Sequence, residues 1–222
     1  GNKYRFDDFG TSAVTLDLAE GGSYVFDLSH SSVDGHPMKF STTANGSHGG
    51  GSTYSTGVTY ILDGVEKSED DYVNTTNFNA ATSRLLKITV AASAPTLYYF
   101  CHYHNLMGGQ ANTNSTLGSS NFDGSRQATT KVNTTAGFSV VTSTSGGSSS
   151  GSYDSFGHGL GVAPNVIIFK NRDIADRWYV FNSNLSSANN KRLALNETTA
   201  ENTTSNLWGT SLPSSTTFSI DQ

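Results

Sequence analysis

The spacing Cys101-x-x-His104-x-x-Met107 sets a thiol, an imidazole and a thioether on one short segment, directly after the apolar run Leu97-Tyr98-Tyr99-Phe100. A mononuclear copper site of the blue type takes two imidazoles and one thiolate in a trigonal plane, with a weak axial thioether. Three of those four donors are on this segment. The fourth must be a second imidazole from elsewhere, and His30, His36 and His48 lie upstream. A packing role competes with this reading, because a reduced Cys is among the most buried residues and a Met can plug the end of a sandwich. His102 is adjacent to Cys101 along a strand, so it projects to the opposite face.

The elements that would position these donors are strands. Tyr24, Phe26 and Leu28 fall on one face of residues 23–28, and Leu86, Ile88 and Val90 alternate with Leu85, Lys87 and Thr89, the period-2 pattern of half-buried strands. Residues 14–18, 38–41, 58–62 and 97–101 are further strand candidates bounded by turn formers, and short strands at this spacing suggest a sandwich or barrel. Residues 63–83 have no sustained period and carry Glu66, Glu69, Asp70 and Asp71, which predicts a long solvated loop. The carboxylate spacing of an EF-hand calcium loop is absent there. Hydrophobic residues become sparse over 113–133, a linker composition that cannot bury enough surface to hold a core. The expected organisation is therefore a β domain over 1–112, a polar linker over 113–133 and a second β-sandwich module over 134–222. Strand signals in the second module fall at 137–142, 166–169, 178–181, 192–195 and 218–220, with low-complexity sequence at 145–152.

Composition agrees with an all-β chain. Charged residues are only 14% and there are 23 glycines, with Ser, Thr and Asn filling the gap; these residues weaken helices and suit strands, caps and turns. The net charge of −5 and the lack of any basic stripe exclude counterion-driven binding to nucleic acid. The apolar runs are too short to span a bilayer and no signal segment opens the chain, so membrane insertion is not expected. A single cysteine excludes an intrachain disulfide. The stretch Gly157-His158-Gly159-Leu160-Gly161 leads into a strand instead of a phosphate-binding helix, and Ser155, between Asp154 and His158, has no nucleophile elbow around it. No catalytic set is assigned. Trp178, Tyr179 and Trp208 are candidates for stacking on sugar rings, with core packing as the competing role for at least one tryptophan.

Two resemblances extend this reading. The pairing of an early histidine in Gly35-His36-Pro37-Met38-Lys39-Phe40 with the short Cys101, His104, Met107 loop resembles the cupredoxin pattern. It implies a Greek-key sandwich over about residues 1–112, with His36 as the fourth ligand to one copper ion. The chain as a whole is similar to modular tail-fibre and appendage proteins of marine bacteriophages. That likeness is carried by residues 35–41 and 98–110, then by Ala136-Gly137-Phe138-Ser139-Val140-Val141, residues 157–164, Lys170-Asn171-Arg172 and Trp178-Tyr179-Val180. It implies a virion structural protein, in a tail fibre, appendage or surface decoration, with a second module of sandwich or jelly-roll type. Such a protein would assemble in the host cytoplasm, reside on the virion surface, contact other virion proteins and host-surface glycans, and form a homotrimer. In those proteins the second module runs further, so the chain is expected to be a piece of a longer one. The alternatives are an extracellular or periplasmic cupredoxin-type copper-binding or electron-transfer protein, and a bacterial surface adhesin or filament subunit.

Overall fold

The computed structural model describes residues 1–114, 118–144, 146, 153–203 and 207–221, and the chain divides into two compact units, Gly1–Ser119 and Ser120–Gln222. Apart from two short α-helices and two 3-10 turns, the regular structure among the described residues is β-strand. No helix among them is long and apolar enough to cross a membrane.

The first unit is a sandwich of two four-stranded sheets. Its strands are β1 (Leu16–Asp17), β2 (Ser23–Asp27), β3 (Met38–Ser41), β4 (Val58–Leu62), β5 (Val65–Lys67), β6 (Arg84–Thr89), β7 (Leu97–Cys101) and β8 (Gly109–Asn112). One sheet runs β1-β8-β7-β3 and the other β2-β6-β4-β5. β6 alternates buried and exposed residues as one solvated face requires, whereas β7 is buried along nearly its whole length. Phe6 joins the layers edge-on, at 5.8 Å from Phe26 and 5.3 Å from Tyr99, and Phe26 meets Phe40 at 5.6 Å.

The segment 63–83 is not the long loop that its lack of period predicts. Asp63 and Gly64 both have positive φ, the two-residue turn that Asp-Gly favours, and they close the β4–β5 hairpin in the register Leu62↔Val65. Two helices follow, α1 (Glu69–Val73) and α2 (Thr75–Ala80). Ser68 caps α1 by accepting from the Asp71 amide at 3.1 Å, and Asn74 caps α2 by accepting from the Asn77 amide at 3.1 Å. Acidic residues in the first turn of α1 suit its positive end. The helices fold because Tyr72 and Phe78 are fully buried, an anchoring too sparse to produce a visible period.

One of the acidic residues here is structural. Lys39, on β3, is 3% exposed, and its Nζ lies 2.6 Å from Glu69 Oε1 and 2.9 Å from Thr53 Oγ1. Burial opposes ionisation of Glu69, but the hydrogen bond and charge of Lys39 outweigh it and hold the carboxyl below its ordinary 4.5. A carboxyl so lowered contributes stability above its unfolded-state pKa, and that contribution is lost as pH falls through the folded-state value. Between pH 6 and pH 3, Glu69→Gln is therefore expected to lose less stability than the wild type when urea midpoints are compared. Equal losses would show that the pair contributes nothing.

In the second unit the strands are β9 (Ser119–Asn121), β10 (Ala128–Asn133), β11 (Phe138–Thr142), β12 (Tyr153–Gly157), β13 (Val166–Phe169), β14 (Tyr179–Asn182), β15 (Lys191–Ala194), β16 (Asn202–Thr203) and β17 (Thr217–Asp221). They form sheets β11-β10-β9, β12-β17 and β13-β14-β15-β16. β9 and β10 occupy much of the segment expected as a polar linker. Thr129-Thr130-Lys131-Val132-Asn133 is low in apolar content but rich in β-branched residues, and it is held by five register pairs with β11. Half of the described part of 113–133 is thus strand. The low-complexity stretch 145–152 lies, apart from Gly146, outside the described residues. Ala128, Phe156, Tyr179, Phe181, Trp208 and Ile220 make the core of this unit. Asp154 is paired with Arg126 at 2.8 Å, and the ring of buried His158 bonds to main-chain groups of Leu160 and Ser214, so both have structural partners.

Candidate metal centre

The antiparallel register Met38↔Cys101 is continued by the His102 amide donating to the Pro37 carbonyl at 2.9 Å. This brings the residues just before β3 alongside the residues just after β7. His36 enters from that side. Its own amide donates to Val33 O at 2.9 Å, and the preceding Gly35 has φ +73° and donates to Asn79 Oδ1 at 2.7 Å.

The loop from 102 to 108 is folded back by two contacts from Asn45. Its Oδ1 accepts from the Leu106 amide at 2.8 Å and its Nδ2 donates to Asn105 Oδ1 at 2.5 Å. Leu106 has φ +60°, the left-handed region that a non-glycine residue occupies only at a cost. Gly108 then passes so close to β7 that a Cβ there would stand 1.7 Å from the Tyr99 carbonyl oxygen.

Three of the four expected donors converge. His104 Nδ1 lies 3.5 Å and His36 Nδ1 3.7 Å from Cys101 Sγ, and one ligand atom from each residue lies within 4.8 Å of the others. A first-row ion about 2.3 Å from a thiolate and about 2.0–2.1 Å from each imidazole, at tetrahedral to trigonal angles, sets sulfur and nitrogen about 3.5–3.8 Å apart. The observed separations fall in that range. A thiol can donate to one ring nitrogen and accept from the other, and a shared ion would set the same two separations. Met107 is buried and lines the same open pocket as His36, His104, Asn105 and Asp34, so its thioether belongs to the same corner of the fold.

Burial grades across the site: Cys101 is fully buried, His36 is intermediate and His104 is exposed. Burial, helped by the like charge of His104, lowers the pKa of His36 from its ordinary 6.5, which favours the neutral imidazole that binds metals. The donor set of one thiolate, two imidazoles and a thioether fits a borderline or soft ion and, within that group, copper best. The other histidines are otherwise engaged. His30 accepts from the Ser32 amide at 3.2 Å, His48 Nε2 donates to the Cys101 carbonyl at 3.1 Å, and the His102 ring packs edge-on against Tyr103. His48 thus supports the backbone of Cys101 and stands outside the cluster of His36, Cys101 and His104.

The aromatic set proposed for sugars does not assemble. Trp208 is 2% exposed, and its Nε1 donates to the Lys191 carbonyl at 3.0 Å. Tyr179 is also buried, stacked between Phe169 and the Arg192 guanidinium. Hydrophobic side chains fill a core before they decorate a surface, and both have been used there. Trp178 alone is open to a ligand. Sequence reasoning missed Asn45 and Gly108 as shapers of the metal loop. The Asn45-Gly46 dipeptide is a turn signal that could have drawn attention to the first.

Fold and site together define an all-β protein with a cysteine–histidine cluster at one end of its first sandwich. Residues 111–222, just over half of the chain, match a family described as a domain of unknown function, DUF7483, and the chain belongs to that family. No curated protein and no solved structure matches it. The family match covers the second unit and leaves the His36, Cys101, His104 cluster outside it.

Proposed function

We propose that the first unit is a cupredoxin-like module holding one copper ion on Cys101, His36 and His104, with Met107 as the weak axial donor. The observation that supports this is the approach of two imidazole nitrogens to a single buried sulfur, at separations a shared ion would require. The whole chain is read as a non-enzymatic structural protein of a phage particle, in which copper clamps a displayed β module. Support for the particle comes from the motif likeness in both units and from the charge-poor surface chemistry of the chain. In this reading the protein assembles as a trimer with other virion proteins and contacts host-surface glycans, where Trp178 is the available stacking residue.

The test is titration of the reduced protein with copper, followed by visible absorption and metal analysis. An intense thiolate-to-copper band at one equivalent is expected, and Cys101→Ser should abolish it. No band and no bound copper would reject the site. An antibody to the protein should label intact phage particles. Label confined to a periplasmic extract would favour the electron-transfer alternative, and label on cells or pili the adhesin.

A further inference from the structure

β13 lies at the edge of its sheet, in the order β13-β14-β15-β16, and its residues Val166-Ile167-Ile168-Phe169 are apolar without a break. The direction of its backbone groups follows from its pairing with β14. The Ser183 amide donates to the Asn165 carbonyl at 2.9 Å, and these two residues continue the register Val166↔Asn182. Hydrogen-bonded pairs alternate with open ones in an antiparallel ladder, so Asn165, Ile167 and Phe169 turn their N–H and C=O groups to β14. Val166 and Ile168 turn theirs outward, where no backbone partner meets them among the described residues. Their side chains are 51% and 54% exposed, whereas Ile167 and Phe169 pack against the core of the unit. Such an edge is normally blunted by a charge, a proline or a bulge. β13 has none of these, since its register with β14 is unbroken. The adjacent Lys170 is folded back, its Nζ donating to the Asn171 and Ile174 carbonyls.

We propose that β13 pairs antiparallel with β13 of a second copy of this chain, about a two-fold axis through the Ile167 pair. Setting Ile167 opposite itself places Val166 opposite Ile168 of the other copy, twice. The outward N–H and C=O groups of these residues then bond to one another and none is left over. Their β-branched side chains meet on the open face, a favourable cross-strand pair. No charge on the edge selects a partner of different composition, and a self-complementary strand is what an isologous contact requires. The same register carries exposed Val162 of each copy toward the loop that holds exposed Ile174 of the other. With these side chains two copies would bury roughly 1,000 Å², the least that a specific contact needs, so the pair should form at about micromolar concentrations. The proposal is independent of the copper reading, and a two-fold contact adds to any assembly made through other surfaces.

The experiment is light scattering over a dilution series of the wild type, Ile168→Lys and Leu212→Lys as full chains, with tryptophan fluorescence to check that each is folded. Leu212 is exposed in the same unit but outside β13, so it controls for the added charge. The wild-type mass should rise with concentration to twice that of Ile168→Lys. The dissociation constant of that variant should be about a hundredfold higher, because its lysines would be enclosed together. Leu212→Lys should follow the wild type. In a Cys101→Ser background, Ile167→Cys should give a disulfide-linked dimer on oxidation, since the residue faces its own counterpart, and Leu212→Cys should not. Equal masses for wild type and Ile168→Lys at every concentration, or a dimer that Ile167→Cys fails to cross-link, overturn the proposal.

Discussion

Gly108→Ala is expected to lower the stability of the first unit by about 3 kcal/mol, the upper part of the range for overpacking, and to lose the copper band. The added Cβ would stand 1.7 Å from the Tyr99 carbonyl oxygen, 2.6 Å from its carbonyl carbon and 2.9 Å from the Phe100 Cα. These are backbone atoms of two fully buried residues of β7, so no side chain can rotate away to make room. Either β7 or the loop must move, and the loop carries His104 and Met107 while β7 carries Cys101. A shift of either separates donors that must meet one ion. Melting should show a loss of roughly 10 °C for a unit of this size. Gly10→Ala is the control, because a Cβ there meets nothing within 4 Å and surface changes of that kind stay within about 0.5 kcal/mol. A Gly108→Ala protein that melts with the wild type and keeps its band would show that the loop has slack that the packing denies.

Trp208→Ala should cost the second unit about 3–5 kcal/mol, the range for truncating a large buried aromatic. Trp208 packs edge-on against Phe181 with ring centroids 5.7 Å apart, and its Nε1 donates to the Lys191 carbonyl. The variant therefore opens a cavity and also leaves that carbonyl without its donor. Trp208→Phe keeps much of the volume but not the donor, so it should fall between wild type and Trp208→Ala. Both tryptophans of the chain lie in the second unit, so tryptophan fluorescence reports on that unit alone. Trp178 remains as the probe in each variant. The urea midpoint should move with little change in slope. A midpoint within error of wild type would place Trp208 at a surface, and so would restore it as a sugar-stacking candidate.

The grouping of Cys101, His104 and Met107 was legible because soft donors at fixed spacing are rare in a charge-poor chain, and part of the fold was legible because half-buried strands announce themselves by alternation. β2 and β6 follow that pattern, and β3, β4 and β7 have the bounds that the flanking turn formers suggest. What escaped notice has physical reasons. α1 and α2 are one-turn elements anchored by a single buried aromatic each, so no 3.6-residue period can develop, although Ser68 and Asn74 were readable as caps. β10 is held by backbone pairing and β-branched Thr and Val, so a hydrophobicity count passes over it. β12 lies beside low-complexity sequence and pairs with β17, far along the chain. Tyr4, whose hydroxyl donates to the His36 carbonyl and whose amide donates to the Met107 carbonyl, carries no local signal at all, since both contacts are made wholly through tertiary structure.

The pairing of β12 with β17 also orders events during synthesis. The sheets of the first unit are complete once Asn112 has emerged, so Cys101 and its partners can be enclosed while the rest of the chain is still being made. β12 has no such early closure, because its partner in the register Tyr153↔Asp221 is translated last in its unit. Until then its edge is open to any other nascent strand, the condition under which incomplete β domains associate wrongly. On a polysome that interval is also when neighbouring copies are closest, which makes the rate of elongation through 157–217 a determinant of yield.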